Sequence, residues 1–181
     1  MKTLQTKRLL LRAWQLSDAA DLYEYAKSSQ VGPAAGWKPH ASIEESREII
    51  KLFIEEQESW AICYTATGKV IGSIGLHPDR KRNVGHANAR ALGYVLSEDY
   101  WGQGLMPEAC QAVLRYAFEE LKLAVLSVYH YPFNVRSKRV IQKLGFVYEG
   151  TLRKANMLYD GAIMDTLCYS LTREEYLARQ R

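Results

Sequence analysis

The stretch that decides the fold of this chain is YWGQGLMPEA, residues 100–109. It joins a strand-like run at residues 90–96 to a helix-like run at residues 105–121. Gly102 and Gly104 flank one residue where the helix begins, and glycine lets backbone amides adopt positive φ and approach a ligand closely. The first turn of a helix also offers N–H donors at the positive end of its dipole. The stretch therefore predicts either a binding site for a phosphate or pyrophosphate, or a tight turn without a ligand.

Two familiar phosphate-binding motifs do not fit this loop. A P-loop needs Gly-Lys-Ser/Thr, and no such run follows Gly104. The dinucleotide fingerprint needs a third glycine, where this chain has Pro107. Pro107 and Glu108 suit the first turn of a helix, because proline fits there and an acidic group complements the dipole.

Length and composition indicate an ordinary globular protein. The chain has 181 residues, of which 48% are hydrophobic and 24% charged, and we expect residues 1–181 to form a single domain. The net charge of +4 suits an anionic cofactor but gives no argument for nucleic acid. The run Arg80-Lys81-Arg82 is interpreted as a solvated turn.

No segment predicts a secretion signal, a membrane partner or a metal. The first residues lack the apolar core of a signal peptide, and no apolar run approaches the ~20 residues of a spanning helix. Cys63, Cys110 and Cys168 lie far apart in predicted strands and a helix, so we expect buried free thiols in a reduced, cytoplasmic protein. The histidines form no close ligand pair, so no metal site is expected. They are His40, His77, His86 and His130.

Apolar periodicity predicts alternating strands and helices. Strands are predicted at residues 8–13, 60–65, 70–77, 90–96, 124–131, 146–152 and 163–171. Helices are predicted to start near Ser17, Ser42, Leu105, Asn134 and Thr172. The strands at 90–96 and 124–131 enclose the helix after the glycine loop, which implies a parallel pair. The chain is therefore predicted to be α/β with a mixed sheet, whose ligands gather at the carboxyl end of that pair.

A second motif, NVRSKRVIQKLGF, follows at residues 134–146. Together with the glycine loop it resembles the GCN5-related N-acetyltransferases, the GNAT family, and within it the branch of Rim-type ribosomal-protein N-terminal acetyltransferases. TKRLLLR at residues 6–12 and DTLCYSLTREEY at residues 165–176 extend the resemblance over nearly the whole chain. The resemblance implies a GNAT-like α/β (α+β) fold: a mixed, mostly antiparallel twisted sheet with one splayed parallel strand pair and helices on both faces.

The resemblance also implies acetyl-CoA as cofactor. Backbone amides of residues 102–106 would hold its pyrophosphate, and residues 94–96 would pair with the pantetheine arm as an added strand does. Asn134 would bond the same arm, and it can serve as a plain helix N-cap at the same time. Ser137 would protonate the departing thiolate, the alternative being an ordinary polar residue of a first helical turn. The implied cofactor contacts are Tyr94, Val95, Leu96, Gly102, Gln103, Gly104, Leu105, Met106, Asn134 and Ser137.

The chain departs from the family pattern at three positions. Trp101 stands where Arg or Gln is frequent, and Met106 where Gly or Ala is frequent, but backbone groups do the binding at both places. Ala91 is more consequential, because relatives in this branch often carry Glu there. A candidate base or substrate contact is therefore missing.

The catalytic candidates are Ser137 and His77. His77 ends a predicted strand and could accept the proton of the attacking amine, whereas the alternative is a structural strand-end histidine. His130 and Tyr131 are weaker candidates of the same kind, and Glu108 is interpreted as a helix-dipole residue. We hypothesise that no single residue is a dedicated base.

The leading hypothesis is an acetyl-CoA-dependent N-acetyltransferase that moves an acetyl group to a primary amine by direct attack in a ternary complex. The acceptor is the α-amine of a protein N-terminus, or a small amine such as a polyamine, an amino acid or an aminoglycoside. A non-catalytic acyl-CoA-binding module on the same fold is the alternative from a different class. The expected partners are acetyl-CoA and the amine, without membrane or nucleic acid, and the chain is expected to be a monomer or homodimer.

Overall fold

A computed structural model describes residues 1–85 and 88–180. His86, for which no metal-binding role is predicted, lies outside the described residues. The chain divides into two compact units. The first holds Met1–Gly75 and Tyr94–Ala109, and the second holds Leu76–Gly93 and the described chain from Cys110 onward. The expectation that residues 1–181 form one domain stays a prediction.

Strands and helices alternate along the chain much as the periodicity predicts. The strands are β1 Leu4–Gln5, β2 Leu9–Arg12, β3 Ser59–Tyr64, β4 Val70–Pro78, β5 Ala89–Leu96, β6 Val125–His130, β7 Val147–Met157 and β8 Ile163–Thr172. The helices are α1 Ala19–Ala26, α2 Gly32–Ala35, α3 Ile43–Glu56, α4 Leu105–Arg115, α5 Val135–Lys143 and α6 Arg173–Ala178. Short 3₁₀ turns lie at Leu16–Asp18 and Glu98–Tyr100.

In the first unit, strands β1 to β4 pair antiparallel in chain order. The β3–β4 hairpin brings Cys63 opposite Val70, as the turn at residues 66–69 predicts. Helices α1 and α3 pack their apolar faces into a core around Trp14, Leu22 and Ile50. This core is continuous with β3, so the sheet and the two helices stabilise one another.

Helix α3 begins where its capping motif predicts. The Ser42 hydroxyl accepts the N–H of Glu45 at 3.2 Å, and the Glu45 carboxylate accepts the N–H of Ala41 at 2.6 Å. The first bond satisfies an N–H donor that a helix start leaves without an intrahelical partner, and the second holds the residue before the cap.

In the second unit, β5 and β6 form the predicted parallel pair, in register from Ala89↔Val125 to Leu92↔Val128. Strand β6 continues to His130 after this register ends. Its other edge pairs antiparallel with β8, which pairs antiparallel with β7. The predicted fold class is therefore confirmed: the sheet is mixed and mostly antiparallel, with one parallel pair.

Helix α4 is shorter than predicted. The prediction extended it to residue 121, but α-helical geometry ends at Arg115 and a π-helical turn occupies Tyr116–Glu120. The Leu121 N–H donates to the Tyr116 carbonyl at 3.0 Å, five residues back. The wider turn keeps Phe118 fully buried and stacked on Tyr176, with ring centroids 5.0 Å apart.

All three cysteines are buried and free, as predicted. Within residues 1–85 and 88–180, no helix has the length and apolar character needed to cross a membrane.

Replacing a buried leucine of β6 tests the role of the parallel pair in folding. Leu126 has no solvent-exposed surface, so Leu126→Ala should lower the free energy of unfolding by about 2–5 kcal/mol, measured by urea denaturation. Leu152→Ala is the matched control, because that side chain on β7 is 45% exposed. Equal losses from the two variants would contradict the burial described for β6.

Candidate active site

The glycine loop has the open geometry that an anion site requires. Gly102 and Gly104 both lie in the left-handed region, with φ of 76° and 75°. Among the described residues, a Cβ built on Gly102 would meet nothing within 4 Å, and one on Gly104 would meet only the Arg8 guanidinium, at 3.8 Å. Helix α4 begins at Leu105, so its first N–H donors emerge directly after the loop. The loop and helix start fit a pyrophosphate.

Arg8 holds the body of this loop. Its Nη1 donates to the Gln103 carbonyl at 3.1 Å. The Gln103 side chain donates to the Asp99 carbonyl at 3.2 Å. The residue between the two glycines is therefore held by both its backbone and its side chain.

Glu108 is the acceptor at the centre of this arrangement. It accepts the Thr6 hydroxyl at 2.6 Å, the Arg8 N–H at 2.9 Å and the Arg8 Nε at 2.7 Å. Burial raises the pKa of this carboxyl, but the hydrogen bonds from Thr6 and Arg8 outweigh burial and hold the pKa below its ordinary value. Glu108 is thus a structural carboxylate, and sequence reasoning recognised its place in the helix but missed its partners 100 residues away.

At the end of β5 the backbone N–H and C=O groups of successive residues point alternately towards β4 and away from it. The Ser97 N–H donates to the Ile71 carbonyl at 2.8 Å, and the Val95 carbonyl lies against Gly72, 2.4 Å from where a Cβ would stand. Amide groups of successive strand residues point to opposite edges. Those of Tyr94 and Leu96 therefore point away from β4, whereas those of Val95 point towards it.

Trp101, one of the departures from the family pattern, ties the loop to this strand. Its indole N–H donates to the Leu96 carbonyl at 2.9 Å, and its ring packs against the core of the first unit. The structure thereby brings together two predicted sets in the first unit, residues 94–96 and residues 102–106.

In the second unit, Asn134 caps helix α5 as predicted. Its side-chain oxygen accepts the N–H of Ser137 at 3.0 Å, and both side chains are half-buried. At the other end of this helix, Gly145 takes a φ of 77°, the predicted left-handed end. Arg179 donates to the Leu144 carbonyl beside it at 3.3 Å.

His77 lies near the end of β4 with its ring over the α-carbon of Gly93. A Cβ at Gly93 would stand 3.1 Å from the His77 Cδ2 and 3.2 Å from its Nε2. A side chain at position 93 would crowd the ring by a few tenths of an ångström, so glycine suits this close approach. The ring is half-buried, which leaves part of it exposed to solvent.

His130 has the features of a structural histidine. Its Nδ1 lies 2.8 Å from the Tyr131 carbonyl, its Nε2 lies 3.4 Å from the Tyr169 hydroxyl, and its ring stacks on Tyr169. Burial lowers the pKa of the imidazole and favours its neutral form. With both nitrogens engaged, it is a poor candidate for accepting a substrate proton.

A buried polar network follows β4, and sequence reasoning missed it. Asp79 accepts the Tyr129 hydroxyl at 2.8 Å and the Lys81 N–H at 3.0 Å. Burial raises the pKa of Asp79, but hydrogen bonds from Ser127, Tyr129 and the Lys81 amide hold it below its ordinary value.

Arg82 extends this network to strands β7 and β8. Its Nε donates to the Ser127 hydroxyl at 2.7 Å, and its Nη2 pairs with Glu149, which also accepts the Ser170 hydroxyl at 2.9 Å. The solvated-turn interpretation is right for Arg80 and Lys81, which are exposed, and wrong for Arg82. A run of charged residues does not reveal these partners of Arg82, because they lie 45 and 67 residues away in the sequence.

No group of three or more His, Cys, Asp or Glu side chains that could hold a metal occurs among the residues the structure describes.

Comparison with known proteins agrees with this geometry. The family model described as the Acetyltransferase (GNAT) domain matches residues 8–147. The chain belongs to the GNAT acetyltransferase family. This match includes both the glycine loop and the Asn134–Ser137 cap. The family uses acetyl-CoA generally, and the chain is a GNAT-type N-acetyltransferase.

Three individual proteins illustrate the similarity. "Uncharacterized N-acetyltransferase p20" of Bacillus licheniformis is 31% identical over 182 residues, covering 97% of this chain and 99% of that protein. "Putative ribosomal N-acetyltransferase YdaF" of Bacillus subtilis is 32% identical over 110 residues, covering 60% of this chain and 57% of that protein. The crystal structure of a GNAT-family acetyltransferase from Bacillus anthracis superposes with a TM-score of 0.86 at 25% identity, covering 96% of this chain and all of that one.

The charge of Glu108 should stabilise the first unit in a pH-dependent way. Because the native carboxyl has a pKa below its ordinary 4.5, its stabilisation is present above that pH and is lost as pH falls through the lowered native value. Glu108→Gln should therefore lower stability at pH 7 by about 1.5–3 kcal/mol, with the difference from wild type shrinking in acid. Thermal melts at several pH values measure this.

Glu48→Gln is the control for that measurement. Glu48 pairs with Lys51 on the surface of α3 and its side chain is 67% exposed, so its loss should change stability very little. A Glu108→Gln deficit that is the same at pH 3.5 as at pH 7 would contradict the assignment.

Proposed function

We propose that this protein transfers an acetyl group from acetyl-CoA to a primary amine, by direct attack in a ternary complex. The observation that carries the proposal is the glycine loop, with two positive-φ glycines opening the start of α4 inside a GNAT domain. When bound, acetyl-CoA supplies an activated acetyl thioester. The chain's own part is to hold the cofactor, orient the amine and manage two protons.

Cofactor binding is assigned to backbone groups of residues 94–96 and 102–106 and to the Asn134 side chain. The amides of Gly102, Gln103, Gly104, Leu105 and Met106 would hold the pyrophosphate at the positive end of α4. The edge formed by residues 94–96 would bond the pantetheine arm by strand addition. Asn134 would add a side-chain contact while it caps α5.

The developing oxyanion needs a donor, for which the backbone N–H of Val95 or of Leu96 is expected, and Leu96 is the better placed of the two. Since the Val95 carbonyl is turned towards β4, the amide groups of Leu96 point to the opposite edge, where the pantetheine arm is proposed to bind. A backbone N–H held by a strand is preorganised, which is the property that stabilises developing negative charge. Trp101 supports this role, because it occupies the Leu96 carbonyl and holds the peptide in place.

Ser137 would hold the proton that the departing sulfur needs, at its Oγ. Its backbone N–H is engaged by the Asn134 cap, so the position of Ser137 in the first turn of α5 is fixed independently of its hydroxyl. His77 is half-buried whereas His130 is buried, so His77 is the better histidine candidate for receiving the amine proton. We retain the hypothesis that no single residue is a dedicated base.

A protein N-terminal α-amine is the proposed acceptor. An α-amine has a pKa of about 7.7–8.0 and keeps a neutral fraction at physiological pH, whereas a lysine-like amine near 10.4 is almost wholly protonated. Ala91 stands where relatives in the same branch often carry Glu, so the acceptor that demands less of a base suits this chain better. The B. subtilis relative YdaF is named a "Putative ribosomal N-acetyltransferase", and this name supports the same choice.

An acceptor panel tests the proposal directly. The wild-type protein is incubated with acetyl-CoA and one amine at a time, and thiol release is followed with a chromogenic disulfide. Peptides with free N-termini should react, the same peptides with blocked N-termini should not, and polyamines, amino acids and aminoglycosides should be slower. Faster reaction with a small amine would mean that the small amine, and not a protein N-terminus, is the acceptor. Tight CoA binding without any turnover would support the non-catalytic module.

Two variants then separate the proton roles. Ser137→Ala should lower kcat by about 100-fold, the range for loss of a general acid, and keep the Asn134 cap, because that cap uses the backbone N–H of residue 137. His77→Gln should lower kcat by less than tenfold. A loss of about 100-fold in the histidine variant would make His77 the base and end the hypothesis that none is dedicated.

A further inference from the structure

We propose that Arg8 is a positioning residue for the pyrophosphate loop: it fixes the direction of the Gly104 N–H. The inference rests on the proposed acetyl-CoA site and adds to it a side chain from the opposite end of the sequence. It accounts for the motif at residues 6–12, which the cofactor contacts leave unexplained.

The geometry of one peptide unit carries the argument. The Gln103 carbonyl accepts the Arg8 Nη1 at 3.1 Å, and this carbonyl belongs to the same peptide plane as the Gly104 N–H. The chain has no cis peptide bond among the residues described, so the C=O and N–H of that plane point in opposite directions. Holding the carbonyl on the Arg8 side therefore directs the Gly104 N–H away from Arg8, towards the open side of the loop.

Without this bond Gln103 keeps its side-chain bond to the Asp99 carbonyl, but that bond does not act on the carbonyl of residue 103. Glycine residues on both sides of Gln103 allow the peptide plane to rotate at little cost. A rotated plane would present a carbonyl oxygen, with its partial negative charge, to the phosphate oxygens. One hydrogen bond from Arg8 thus decides whether this peptide attracts or repels an anion.

Arg8 is rigid enough to act in this way. Its Nε and Nη2 both contact the Glu108 carboxylate at 2.7 Å, and its own N–H donates to the same carboxylate. The planar guanidinium can satisfy the carboxylate and the Gln103 carbonyl together, because its donors form a fixed fork. Lysine could reach one of these acceptors but not all of them.

The experiment compares two acetyl donors. Acetyl-CoA carries the pyrophosphate, whereas acetyl-pantetheine has the same thioester and arm without it. Arg8→Gln should raise the KM for acetyl-CoA and the Kd for CoA about tenfold, the effect of one charge-assisted contact. It should leave kcat, and kcat/KM with acetyl-pantetheine, within about twofold of wild type. Arg8→Lys should recover part of the acetyl-CoA affinity.

Thr6→Val is the matched control. Thr6 donates to the same Glu108 carboxylate at 2.6 Å, so its replacement weakens the anchor of the N-terminal segment but leaves the Arg8–Gln103 bond. It should lower the melting temperature without changing the preference for acetyl-CoA over acetyl-pantetheine. Should Arg8→Gln not fold, the comparison of the two donors in Arg8→Lys decides the question.

The outcomes separate this inference from the proposed function. Equal losses with both donors in the Arg8 variants, or an unchanged KM for acetyl-CoA, would overturn the positioning role while leaving the enzyme's activity in place. A wild-type protein that neither binds CoA nor uses acetyl-CoA would overturn the proposed function, and the role of Arg8 with it.

Discussion

The Glu108 carboxylate is the interaction on which the first unit's candidate site depends. It collects the Thr6 hydroxyl and both backbone and side-chain donors of Arg8, and so joins the start of the chain to the first turn of α4. The carboxylate compensates the positive charge of Arg8 and complements the helix dipole at the same time. The two glycines allow the loop many backbone conformations, and contacts from outside the loop select one of them.

The end of β5 is also held by a few specific hydrogen bonds. Its backbone alternates between β4 and the opposite edge, and Trp101 takes the Leu96 carbonyl at that edge. The residue that breaks the family pattern is thus a link between the strand and the loop. A large aromatic ring can replace a charged side chain here because the position acts through an indole N–H and core packing.

The second unit uses charge differently. Asp79, Arg82 and Glu149 form a chain of charged and polar contacts to strands β6, β7 and β8. Asp79 is buried and needs such partners, since a buried charge alone carries a large desolvation cost. Asp79 and Arg82 are consequently fastened to the sheet, and Tyr129 is held directly after the last registered pair of β5 and β6, Leu92↔Val128.

Much of the architecture follows from local sequence. The strands, the β3–β4 hairpin, the Ser42 and Asn134 caps, the Gly145 helix end and the parallel pair are all predicted, because periodicity and capping are short-range signals. The order of motifs also identified the family. The prediction is wrong where distant packing decides local structure, as at the π-helical turn that buries Phe118 and at Arg82.

The sequence by itself determined which residues are available for the site: two glycines before a helix, an asparagine cap with a serine three residues on, and an alanine where a base is often found. Only the tertiary structure decided how they are held. Gln103 and Glu108 find their partners in Arg8 and Thr6, 95 and 102 residues away, and the Arg8 bond sets the direction of the peptide between Gln103 and Gly104. Hydrogen bonds across about 100 residues leave no local pattern in the chain, because they depend on where the fold places each end.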